Sequence, residues 1–330
     1  MEILSLKSVL LYQLGKALVC DSDANVICFT DFLRKLGKSA SNARSVASKE
    51  ILDWREIPLT KKQQTPQILY VSPLPQTLVA FGQAIAGADP SAPMQAIANR
   101  LNQSHSNLEL NRTNEQTLCL DQTLSIEAQL WLEFKIETQR PGWIAFCLSE
   151  KGIDRWLQHL QTQPLSTSKP SAIAQSAQPL MAPPAAIDLP IVEMLWQAQY
   201  TYACCARLLE REHTDKHRLS APNSQRQRQR HAAERSLVHN LVDTADSLFW
   251  IPYRWPTQQY LLLLKRVMPL CQSFERFYSV RLCESEGPYA ALNSQAVAER
   301  SLQWSLVSAT KNILKVLLEV HLGESAPEQL

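Results

Sequence analysis

From position 302 the apolar residues Leu302, Leu306, Ala309, Ile313, Leu317 and Val320 return every three or four places, and the run ends in Leu322-Gly323 with Pro327 beyond. That rhythm predicts an amphipathic helix with glycine at its C′ position and no continuation past proline. The segment 259–282 holds Leu261 to Leu264 in a row, then Phe274, Phe277, Tyr278 and Leu282, and predicts a second long helix whose aromatic residues pack inward. Another helix is expected over 189–212, through Trp196, Tyr200, Tyr202 and Leu208. The second half of the chain therefore reads as an all-α helical bundle.

The first half mixes periods. Residues 4–19 have helical apolar spacing, and Thr30 can cap a short helix over 31–36 that Gly37 ends. Pro93 suits the first turn of a helix over 93–101 that places Ile97 and Leu101 on one face. Leu130, Leu132, Phe134 and Ile136 alternate with other residues at the strand period, so a strand is expected over 130–136. After a Pro141-Gly142 turn, 143–149 predicts its neighbour, and Ser149 can cap a helix through Ile153, Trp156, Leu157 and Leu160. Helices packed on a small antiparallel sheet are the simplest way to bury these faces.

Between the halves, prolines 164, 170, 179, 183, 184 and 190 are scattered among Ser, Thr, Ala and Gln. Each proline removes a helix donor, and few large apolar groups offset the cost of ordering, so an extended linker is expected. The expected organisation is an α+β N-terminal domain over 1–160, a linker over 161–186, and an all-α domain over 187–330.

Composition limits the function classes. A chain of 330 residues that is 45% hydrophobic can build two cores. A formal net charge of +2 with pI near 8.1 is far from the field of a general nucleic-acid binder, so any RNA contact must be local and DNA is not an expected partner. The eight cysteines form no Cys-x-x-Cys pair and read as reduced, mostly buried thiols. The opening Met-Glu-Ile-Leu-Ser-Leu-Lys has no basic region before its apolar residues, and no apolar run reaches eighteen. Neither secretion nor a membrane span is expected, and the cytoplasm is the expected compartment.

The last two helices and the tail Leu322-Gly323-Glu324-Ser325-Ala326-Pro327-Glu328 resemble the end of the DALR anticodon-binding domain, most closely that of arginyl-tRNA synthetases. In that family the tail reads Leu-Gly-x-x-Ala-Pro-Glu-Arg-Met, where this chain ends in Gln329-Leu330. The 93–101 helix, the Arg140-Pro141-Gly142-Trp143-Ile144-Ala145-Phe146-Cys147-Leu148-Ser149 segment and Trp156-Leu157 similarly resemble the family's N-terminal additional domain, in family order. The resemblance implies an arginyl-tRNA synthetase-like protein without its catalytic domain. The His-x-Gly-His and Lys-Met-Ser-Lys-Ser signatures of adenylate formation do not occur, nor does a glycine-rich phosphate cradle. The expectation is therefore a non-catalytic protein without a cofactor. His213 and His217 stand four apart but among Arg211, Lys216 and Arg218, and with no further ligands they predict no metal site.

The resemblance also places candidate residues. Gln199-Tyr200 matches the centre of the family's Tyr-Val-Gln-Tyr-Ala-His-Ala-Arg segment, whose tyrosines and arginine lie near anticodon bases. Here Gln197, Tyr202 and Cys204 stand at the family's first tyrosine, histidine and arginine positions. Tyr200 and Tyr202 are candidates for stacking on an unpaired base, with Arg207 beside them. Arg226, Arg228 and Arg230, with Arg235 beyond, are candidates for backbone phosphate contacts. Two readings follow: a tRNA or structured-RNA binding protein, with the RNA site between the Tyr200 face and the C-terminal helix, or a protein-interaction module that keeps the scaffold after losing anticodon recognition.

Overall fold

A computed structural model of the chain describes residues 4–19, 57–62, 67–77, 91–118, 125–139, 142–162, 189–215, 231–249, 257–282 and 294–329. They form two compact units, Leu6–Trp156 and a second made of Met1–Ser5 with Leu157–Leu330. The expected helix over 31–36 and the linker over 161–186 lie outside the described residues, apart from the linker's first two positions, which finish a helix.

The first unit is mixed α/β. Helix α1 (Leu6–Val19) is followed by strands β1 (Thr60–Lys62) and β2 (Leu69–Ser72), helices α2 (Ser91–Leu118) and α3 (Ile126–Trp131), strands β3 (Phe134–Gln139) and β4 (Trp143–Leu148), and the first half of helix α4 (Glu150–Thr162), up to Trp156. The strands make one antiparallel sheet in the order β1-β2-β4-β3. Tyr70, Phe146 and Ile136 share a cross-strand row, and Trp131 approaches Phe146 and Phe134 at ring distances of 6.3 and 6.5 Å. Helix α2 packs on β3 and β4 and against α1, with Ile97 and Leu101 both buried. Its fused length exceeds the expected 93–101 segment, and it starts two residues before Pro93.

One expectation fails locally. Leu130 and Leu132 are not in a strand: Ile126–Trp131 is helical, and the strand starts at Phe134. The Ser125 hydroxyl accepts from the Ala128 amide and starts the helix, so Leu130 and Trp131 enter the core side by side from its last turn. The two-residue spacing of Leu130 and Leu132 was the end of a short helix plus a turn.

The start of α4 is tightly specified. Ser149 Oγ accepts from the Gly152 amide at 3.0 Å and donates to Glu133 Oε2 at 2.7 Å, while Arg155 reaches the other oxygen of Glu133. The cap expected from sequence is thus present, and it is clamped by a carboxylate from the turn before β3.

The second unit is mostly helical. Helices α5 (Leu189–Asp215), α6 (Ala232–Phe249), α7 (Thr257–Phe277) and α8 (Ser294–Lys315) form a four-helix arrangement in which α5 and α6 each pack against both α7 and α8 and face one another across the diagonal. Helix α7 continues into a π-helical turn, Tyr278–Leu282, and α8 into another, Val316–Leu322. Such turns hold more residues per revolution than an α-helix. Val316, Leu317 and Leu318 are therefore buried together, and Val320, expected on the buried face, is 45% exposed.

Gly323 ends this turn at φ 68°, and the amide of Glu324 bonds Leu318 O at 2.8 Å. A Cβ here would meet nothing within 4 Å, so the requirement for glycine is conformational alone. Gly323→Ala is expected to cost about 1–2 kcal/mol, the left-handed penalty of an L-residue, measurable as a lowered denaturation midpoint.

Candidate functional site

Helix α5 packs against α7 and α8 and buries Ala198, Thr201, Tyr202, Ala203, Cys205 and Ala206. Its apolar residues do not stop there. Val192, Trp196 and Tyr200, at intervals of four, form a second stripe on the solvent side, with Trp196 55% and Tyr200 43% exposed. Their rings stack at 5.2 Å between centroids and 14° between planes. Scattered surface apolar residues are ordinary, but a stacked and exposed Trp–Tyr pair is a formed surface rather than a stray side chain.

Two flanks border the stack. On one side Gln197 Nε2 donates to Glu275 Oε1 of α7 at 3.3 Å. Tyr278, in the π turn that follows, stacks on Phe274 at 6.5 Å and is itself 39% exposed. The Tyr200 hydroxyl is held to Cys204 one turn on, and this bond, with the nearby Cys204, Glu275 and Tyr278 groups, raises its pKa. On the other side Gln199 Nε2 donates to Ser325 O at 3.2 Å, so the Leu-Gly-x-x-Ala-Pro-Glu tail lies against α5.

The sequence-expected residues separate on this framework. Tyr202, two positions from Tyr200 and about 200° round the helix, is 1% exposed, with Lys311 5.7 Å from the centre of its ring. Burial, then Glu328 and Glu319, push its hydroxyl up to about 12. Its ring is part of the core and is not offered to a base. Tyr200 is 43% exposed and stacks on Trp196 of its own helix. Arg207 is exposed two turns beyond Tyr200, with the buried Ala203 between them on that side of the helix, whereas Arg235 is exposed on α6, diagonal to α5. Arg226, Arg228 and Arg230 lie outside the described residues.

Trp196, Glu275 and Tyr278 were not read as site residues from sequence. The signal for Trp196 was present: Val192, Trp196 and Tyr200 form an apolar stripe opposite the one that fills the core. Glu275 has no such local signal, because it joins the site only through the α5–α7 packing.

Two thiols in the core of this unit, Cys205 and Cys271, are not activated. Cys205 and Cys271 are buried, and burial drives both pKa values up, to about 12 for Cys271, so both stay protonated. Among the described residues no group of three or more His, Cys, Asp or Glu side chains could hold a metal ion, and no helix is long and apolar enough to cross a membrane. His217 and the side chain of His213 lie outside the described residues. No family model, no curated protein and no solved structure matches the chain.

Proposed function

We propose that this protein is a non-catalytic, cytoplasmic RNA-binding protein, a relative of arginyl-tRNA synthetase without the aminoacylation domain, and that its helical unit binds unpaired bases of tRNA or another structured RNA on the α5 stripe. One observation carries the reading: Trp196 and Tyr200 are stacked on each other and held open to solvent, which is the geometry a base needs to add to the stack. Arg207, exposed two turns further along the helix, supplies local charge for a phosphate, in keeping with a chain whose net charge is only +2.

Trp196 gives the stripe an aromatic group one residue before Gln197, the position where the resemblance calls for a tyrosine. Titrating labelled total tRNA with the full chain should give salt-dependent binding at about 10 μM or tighter. Tyr200→Ala and Trp196→Ala should each weaken it by roughly ten-fold, the low end of what one base–aromatic stack contributes. Tyr200→Phe should retain most of the affinity, because the stacking face survives. Folded alanine variants that bind like the parent would remove this site from consideration.

The second reading, a protein-interaction module, is favoured by Val192, which extends the apolar stripe a further turn beyond the aromatic pair. Capture of a defined protein partner that withstands nuclease and is lost in Val192→Ser would support it; recovery of specific RNAs under the same conditions would oppose it.

A further inference from the structure

We infer that the exposed side of α5 is a self-association surface: two copies of the chain pack these helices antiparallel about a two-fold axis at Tyr200. The dimer covers the Trp196–Tyr200 stack that the monomer leaves open. The inference goes beyond RNA binding and does not rest on it.

Charge sets the arrangement. Glu193 and Arg207 stand seven residues to either side of Tyr200 within one helix, and all three are exposed. Seven residues are about two turns, so the three side chains leave the helix on one side, with each charge on the order of 10 Å from Tyr200 along the axis. Glu193 is the only charged residue of α5 before Tyr200, and Arg207 is the first after it. Opposite charges at equal distances from a centre make a surface that complements itself when turned end over end. Glu193 then meets Arg207 of the second copy, and Arg207 meets its Glu193, as an isologous contact requires. A parallel pair would set Glu193 against Glu193 and Arg207 against Arg207 and would align the two helix dipoles, so the same charges that favour the antiparallel pair exclude the parallel one.

The apolar row has the same centre. Val192, Trp196, Tyr200, Cys204 and Leu208 follow one another at intervals of four, and every one of them is exposed or half-buried. Turned end over end about Tyr200, Trp196 comes opposite Cys204 of the second copy and Val192 opposite its Leu208, each contact made twice. The bulkiest side chain of the row thus faces the smallest, and the two aliphatic ends face each other.

The test is sedimentation equilibrium of the nuclease-treated full chain. It should dimerise with a dissociation constant on the order of 10 μM, in the range of small, transient contacts. Glu193→Arg and Arg207→Glu should each associate roughly thirty-fold more weakly, because each sets like charges together at both ends. An equimolar mixture of the two should regain the parental strength, since the mixed pair restores both attractions. Tyr200→Ala should weaken the dimer roughly ten-fold, the loss expected on truncating a central aromatic anchor. Both charged positions are exposed, and matching circular dichroism of parent and variants keeps the comparison one of association. A parent chain still monomeric at about 100 μM overturns the inference, and if that chain binds tRNA the RNA reading stands without it. Dimer that persists in both charge variants, or a mixture of folded variants that stays monomeric, overturns the antiparallel pairing about Tyr200. Added tRNA that binds at the stack should drive the parent toward monomer.

Discussion

Gly152→Ala is expected to destabilise the sheet-containing unit by about 3 kcal/mol, although helix propensity alone favours alanine by about 1 kcal/mol. Gly152 lies in the first turn of α4, buried, with its amide on the Ser149 cap. A Cβ at this position would sit 2.5 Å from Leu148 Cδ1 and 2.7 Å from Glu133 Cβ. The Glu133 atom cannot swing away cheaply, because the same residue is pinned by Ser149 and Arg155 and its backbone oxygen accepts from the Ser149 amide at 3.0 Å. Relief must come from shifting the turn before β3 against the helix start, which disturbs the cap, the ion pair and the register at Phe134↔Leu148 together. Thermal unfolding of the full chain should show the transition of this unit lowered by roughly 6–12 °C. Adding Leu148→Val, which deletes the nearest atom, should recover part of the loss. A Gly152→Ala protein as stable as the parent would mean that the close approach is not a constraint.

The same region shows how far sequence carries the fold. Ser149 as a cap, the strand that starts after Gly142 at positive φ, and the buried Ile153, Trp156, Leu157 and Leu160 set were all legible, because each is fixed by residues within a few positions of one another, while Pro141 of the expected turn lies outside the described residues. Strands β1 and β2 were not. Thr60–Lys62 is too short and polar to show a period, and Leu69–Ser72 pairs with β4 more than seventy residues away. The error at Leu130 and Leu132 has the same origin: over six residues a helix end and an alternating strand give overlapping patterns, and the deciding feature was Ser125, one residue before the segment.

At the candidate site the division is similar. Helix α5 was expected over 189–212 and is present, and the glycine-terminated last helix followed from spacing, whereas Tyr200 was singled out by the family resemblance. What spacing left undetermined was which of two tyrosines two residues apart would face inward. Both sides of α5 are apolar in this stretch, so periodicity marks two stripes and only packing against α7 and α8 selects the one with Tyr202. Glu275 could enter only with the tertiary structure, because its partner Gln197 is 78 positions away.

The helical unit should lose stability in mild acid through His321. This residue sits in the π turn that ends α8, where burial lowers its pKa from 6.5 to about 4. The folded state thus holds the imidazole neutral at pH values where the unfolded chain has already bound a proton. Between pH 6.5 and 4 the unfolded state carries more protons, so unfolding becomes more favourable as pH falls; above this window the group has no effect. Each unit of difference is about 1.4 kcal/mol, and with a discount for partial exposure the loss from pH 7 to pH 4 is about 2–3 kcal/mol. The effect should appear first near the π turn, as faster exchange of α8 backbone amides in native-state hydrogen exchange. Carboxylates titrate in the lower part of the same range, so the informative quantity is the difference from His321→Gln, which has no proton to take up. The variant should hold its α8 protection between pH 6.5 and 5 where the parent loses it, and parallel curves for the two proteins would exclude His321 as the source of the acid sensitivity.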